Sequence, residues 1–156
     1  LESATGLFWI NTTMLIAFFI FGYILPKITK LGLESMKLMK LGLPISYLSL
    51  LYIIISGENA GALHFTLYIL TSIVLTLTQP AVALSFPTSL AGKSLTSFNL
   101  LIFVGTFIMQ WGIGLVIDLS KFLGKGEIQS FQISFSVYLL ICIFSYLYFL
   151  LNNRNE

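Results

Sequence analysis

Gln79-Pro-Ala-Val-Ala-Leu-Ser-Phe-Pro-Thr-Ser-Leu-Ala-Gly-Lys-Ser-Leu-Thr-Ser-Phe-Asn99 decides how this chain is read, because one apolar run ends in it and the next begins in it. The stretch holds two prolines, a Gly-Lys pair and two amide side chains, set in or beside segments that are otherwise apolar. Pro80 removes a backbone donor and crowds the preceding turn, so a bend is expected near residues 76–80. Ala91-Gly92-Lys93 reads as a tight hairpin turn. The helices on either side of it are then antiparallel neighbours.

Outward from this stretch the chain is apolar almost throughout. Of its 156 residues 57% are hydrophobic and only 9% charged, whereas charged residues make up about a quarter of a soluble domain. A bilayer core about 30 Å thick needs roughly 20 apolar residues per helix. Five runs approach or exceed that length, at residues 7–25, 41–56, 62–86, 97–117 and 131–151. Lipid cannot satisfy backbone N–H and C=O groups, so each run must be a helix or part of a closed barrel, and runs without alternation favour helices. The expected fold class is all-α: a polytopic bundle of about five transmembrane helices in one domain spanning residues 1–156, with the lipid bilayer as its first partner.

A net charge of +2 without a dense basic cluster gives no reason to expect nucleic acid as a partner. The single cysteine, Cys142, excludes an internal disulfide and reads as a packing residue. Leu1 stands first, no basic segment precedes the first apolar run, and the helix count is odd; a fragment or processed chain is expected rather than a signal peptide. Lysine placement sets the expected topology. Lys27, Lys30, Lys37, Lys40, Lys93 and Arg154 fall on one side, against Lys121 and Lys125 on the other. The richer side is expected to be cytoplasmic. That puts the amino terminus outside and the carboxyl terminus in the cytoplasm of a multi-pass protein in the cell (inner) membrane.

The first helix carries Asn11, Thr12 and Thr13 and is expected to leave the membrane through Gly22 and Pro26. Residues 27–40 alternate Leu, Ile and Met with Lys, and read either as a short amphipathic piece on the membrane surface or as a solvated loop. Pro44 then falls in the first turn of the second helix, where proline is tolerated. Asn99, Phe103, Thr106 and Gln110 recur at spacings of four, three and four, which puts them on one face of the fourth helix. Gly105, Gly112 and Gly114 supply small positions where another helix can approach. The fifth helix is rich in aromatic residues, as interfacial belts are.

Amide side chains are costly in a membrane unless paired or wetted. They lie on the first, third and fourth helices, as Asn11, Gln79, Asn99 and Gln110, and are missing from the middle of the second and fifth. The first, third and fourth are therefore expected to share an interior or a water-filled space, and the second and fifth to face lipid. His64, the one histidine, reads as an interfacial or packed residue ahead of a proton relay. With no second His or Cys, no Ser/His/Asp set, no acid in mid-helix and no phosphate loop, neither an enzyme nor a metal or other cofactor is expected.

Two stretches resemble the carboxyl-terminal half of a major facilitator superfamily transporter, helices eight to twelve, in a bacterial member. Gly22-Tyr-Ile-Leu-Pro26-Lys27-Ile-Thr29-Lys30 is similar to the family's Gly-x-x-x-Asp-Arg-x-Gly-Arg loop, with Pro26 for the Asp and Thr29 for the second Gly. Phe86-Pro87, Ala91-Gly92-Lys93, Asn99, Gly105, Gln110-Trp111-Gly112-Ile-Gly114 and Asp118 resemble the hairpin of helices ten and eleven. The resemblance implies secondary transport of a small solute by alternating access, with a coupling ion as a possible further partner and an amino-terminal half outside this chain. It makes Gln79, Asn99, Thr106 and Gln110, beside Asn11, the candidates for the substrate pathway. Gly22, Lys27, Lys30, Gly92 and Lys93 become candidates for cytoplasmic gating loops. The alternative from another class is a non-catalytic membrane scaffold or assembly subunit.

Overall fold

The computed structural model describes residues 2–30 and 34–152. Six α-helices follow in order: α1 (Glu2–Lys30), α2 (Ser35–Ser56), α3 (Ala62–Thr71), α4 (Thr78–Leu84), α5 (Thr88–Phe122) and α6 (Glu127–Asn152). Short 3₁₀ turns occupy Gly57–Asn59 and Ser72–Leu77, and no strand occurs among the described residues. Five stretches are long and apolar enough to cross a membrane, with Ala62–Leu84 counting as one. The protein is an all-α, multi-pass membrane helix bundle. Arg154, used above for topology, lies outside the described residues.

Several boundaries differ from expectation, each for a local reason. α1 runs through Pro26 to Lys30, so the Gly22 to Lys30 motif is helical rather than a loop. Pro26 lacks the N–H that would meet the Gly22 carbonyl, and the Thr29 hydroxyl donates to the carbonyls of Leu25 and Pro26 at 3.1 Å. Residues 35–40 belong to α2, which leaves neither a surface piece nor a solvated loop over residues 35–40. Pro44 is thus well inside α2 and not in its first turn. The disruption caused by Pro80 lies upstream, as the 3₁₀ turn Ser72–Leu77. Here Thr71 back-bonds to the Leu67 and Tyr68 carbonyls, and the Ser72 hydroxyl is buried without a hydrogen-bond partner among the described residues. The hairpin turn is formed by Ser85, Phe86 and Pro87, not by Ala91, Gly92 and Lys93, which are in α5. A residue before proline is pushed out of the α region, whereas glycine inside a helix costs only about 1 kcal/mol. Pro87 therefore sets the break and Gly92 does not.

The chain forms two compact units, one from the residues up to Leu75 together with those from Leu139 onward, the other Thr76–Tyr138. In the first unit α3 packs against both α1 and α2. α2 is the best-buried helix of the five spans, through Met39, Ser46, Ser49, Leu50 and Ile53. This corrects the expectation that the second helix is peripheral. Its serines turn their hydroxyls onto their own helix, Ser46 to the Leu43 carbonyl at 2.8 Å and Ser49 to that of Ile45 at 3.1 Å. They then present nearly alanine-sized surfaces to a neighbour. Thr71 of α3 comes within 3.1 Å of the Ser49 hydroxyl.

Pro44 deprives the Lys40 carbonyl of its usual donor four residues on. The Tyr146 hydroxyl of α6 donates to that carbonyl at 2.6 Å, and its ring meets Tyr47 edge-on at 5.8 Å. Tyr146→Phe keeps the ring and removes the donor. A loss of about 1 to 2 kcal/mol in unfolding free energy is expected, read by denaturant titration in mixed micelles. A loss below about 0.3 kcal/mol would show that this bond contributes nothing net.

The second unit is built on α5. Phe122 is its last helical residue, and the chain leaves through Gly124 at φ 79°. The Lys125 N–H bonds to the Ser120 carbonyl at 3.0 Å and that of Gly124 to the Lys121 carbonyl at 2.9 Å, the pattern of a Schellman cap. The first half of α6 returns with Ser130 and Ser134 fully buried, and Ser134 donates to the Ile113 carbonyl of α5 at 3.0 Å. Like α2, α6 is therefore not simply lipid-facing.

Candidate functional site

The five substrate-pathway candidates are all exposed. Asn11 belongs to the first unit, on α1, where its amide donates to the Leu7 carbonyl of its own helix at 2.7 Å. Its cost in an apolar setting is met locally. Gln79, Asn99, Thr106 and Gln110 belong to the second unit. Gln79 is the second residue of α4, and the other three are on α5.

On α5 the eleven steps from Asn99 to Gln110 make about three full turns. Both amides therefore share one face with Thr106, and Gly92 falls on the same line. None of the three polar side chains has a hydrogen-bond partner among the described residues. α4 reaches α5 from elsewhere: Val82 and Phe86 face Leu90, Lys93, Phe98 and Leu101 across a groove of about 390 Å³. Those α5 positions centre about half a turn from the amide face. The helix that carries Gln79 thus packs on the other side of α5 and leaves the amide face open. The structure brings Asn99, Thr106 and Gln110 together and does not add Gln79 to them.

Apolar residues flank the amide face: Phe103, Phe107 and Trp111 are each more than 60% exposed. A built Cβ at Gly92, Gly105, Gly112 or Gly114 meets nothing within 4 Å, so no described helix fills the small-residue positions. In the hydrocarbon core an amide facing lipid without a partner costs up to several kcal/mol. In the membrane this face must meet water or another protein surface.

The gating-loop candidates lie in helical turns. Gly22, Lys27 and Lys30 are exposed near the end of α1, with the Lys27 ammonium 4.1 Å from the centre of the Tyr23 ring. Gly92 and Lys93 are exposed in the second turn of α5. His64 sits in the first turn of α3, where its Nδ1 accepts from the Gly61 N–H at 3.2 Å and its ring lies 4.8 Å from that of Tyr52. It acts there as a helix cap. Among the described residues no three His, Cys, Asp or Glu side chains converge on a possible metal position.

Sequence reasoning missed the serines that hold the helices together and the close approach at Gly42. A signal was present for the serines: Ser46 with Ser49 and Ser130 with Ser134 recur at helical spacing. Gly42 had no such signal, because its neighbour Val74 is 32 positions away in the chain. Comparison with known protein families, with curated proteins and with solved structures finds no match to this chain.

Proposed function

We propose that the chain forms part of a secondary-active transporter that moves a small solute across the cell (inner) membrane by alternating access. One observation carries this reading: Asn99, Thr106 and Gln110 stand on one exposed face of an apolar helix with no partner among the described residues. Such a face suits a wall of an aqueous pathway. Amides and hydroxyls there offer both donors and acceptors to a polar solute without fixing a charge. The resemblance to the carboxyl-terminal half of a major facilitator supplies the rest: an amino-terminal half as the facing wall, an ion gradient as the driving force, and Gly22, Lys27, Lys30, Gly92 and Lys93 at cytoplasmic contacts. Lysine placement supports an outside amino terminus.

A non-catalytic scaffold or assembly subunit is the second reading. It is favoured by the open glycines Gly105, Gly112 and Gly114, which suit the close approach of a partner helix. Flux separates the two. Proteoliposomes holding the full-length protein, screened with sugars, amino acids and organic ions under an imposed ion gradient, should show saturable uptake of one solute class. Asn99→Ala and Gln110→Ala should each lower it about tenfold or more, the cost of losing at least one hydrogen bond to a bound polar group. Absence of flux together with a stoichiometric protein partner would favour the scaffold.

A further inference from the structure

We propose that the groove between α4 and the start of α5 is a binding site for one anionic phospholipid. Its walls are hydrocarbon, from Val82 and Phe86 on one side and Leu90, Phe98 and Leu101 on the other. A volume of about 390 Å³ is within the usual range for ligand clefts, about 300 to 1,000 Å³. Ser94, also on the wall, turns its hydroxyl to the Ala91 carbonyl at 2.9 Å, so its proton does not point an unmet donor into the groove. With the Ser97 hydroxyl and the Lys93 ammonium as its available polar groups, the cleft is otherwise apolar and suits an acyl chain.

Lys93 supplies the sign of the headgroup. It lines the same groove, lies two turns before the apolar stretch at residues 100–105, and is the only charged residue between Thr76 and Leu101. No ion pair engages it among the described residues, whereas Lys37 and Lys121 have Glu34 and Glu127 at 4.0 and 3.8 Å. An ammonium about 10 Å along the helix from the apolar run sits at headgroup depth. A phosphate there meets one unpaired cation and no nearby acid to repel it. Apolar walls open to the bilayer, below a lone positive charge at its surface, match a phospholipid with net negative charge better than a zwitterionic one.

The test uses the purified full chain, equilibrated with equal amounts of phosphatidylglycerol and phosphatidylcholine and weighed intact by native mass spectrometry. One retained phosphatidylglycerol is expected, favoured over phosphatidylcholine about fivefold, the effect of one lysine near a membrane surface. Lys93→Gln should abolish the preference and Lys93→Arg should keep it. Ser97→Trp fills the groove without changing charge and should expel the retained lipid of either kind, with helix content unchanged by circular dichroism. The proposal is overturned if Lys93→Gln still prefers phosphatidylglycerol, or if the filled groove still retains it. Displacement of the lipid by inorganic phosphate would also overturn it, in favour of a simple anion site.

Discussion

Gly42→Ala is expected to destabilise the fold by about 1 to 3 kcal/mol, although alanine is the better helix former. A Cβ at this position would lie 2.6 and 2.9 Å from the two methyl carbons of Val74 and 3.1 Å from its Cβ. Valine is branched at Cβ and holds one strongly preferred rotamer in a helical setting, so it cannot swing clear. The backbone of α2 or of the 3₁₀ turn Ser72–Leu77 must move instead. Neither is loose: α2 is the best-buried span, and Leu77 at the end of the turn is 1% exposed. Gly105→Ala is the matched control, since no described residue beyond its own helical turn lies within 4 Å of its built Cβ. It should gain up to about 1 kcal/mol from helix propensity alone. Unfolding titrations of both variants in mixed micelles measure the difference. Gly42→Ala/Val74→Ala should recover part of the loss, because the clash goes even as a small cavity opens. A Gly42→Ala variant as stable as wild type would mean that α2 and the turn do not meet this closely.

How far the sequence could be read depended on range. Run length and composition were enough for an all-α membrane bundle, because lipid leaves the backbone few choices. Helix ends were harder. Pro26 and Pro44 both fall inside helices rather than at their ends, and at Pro44 a distant hydroxyl takes over the bond that proline breaks. Tyr146 does it for Lys40 from 106 residues away, which no local pattern encodes. Gly92 was read as a turn, while Pro87 a few residues earlier sets the break. Amides are a poor marker of a packed interior in this chain. Serine serves that role in α2 and α6, since it satisfies its own hydroxyl and lets backbones approach. The face holding Asn99, Thr106 and Gln110 was legible, because spacing along a single helix is all it requires.

The central claim is that this face of α5 meets water inside the membrane. The direct measurement is labelling by a charged, membrane-impermeant thiol reagent in intact membranes. Cys142 is the only cysteine, so Cys142→Ala supplies a background free of thiols. Single substitutions Asn99→Cys, Thr106→Cys and Gln110→Cys sample the face. Val104→Cys and Ile108→Cys sample exposed positions about half a turn away. A fixed charge keeps the reagent out of hydrocarbon, so labelling reports water at the thiol and not mere absence of protein. Positions 99, 106 and 110 should label while 104 and 108 do not, with a solute that is carried protecting the first group. If all five positions stay unlabelled, or if all label alike, the amide face is not the wall of an aqueous pathway.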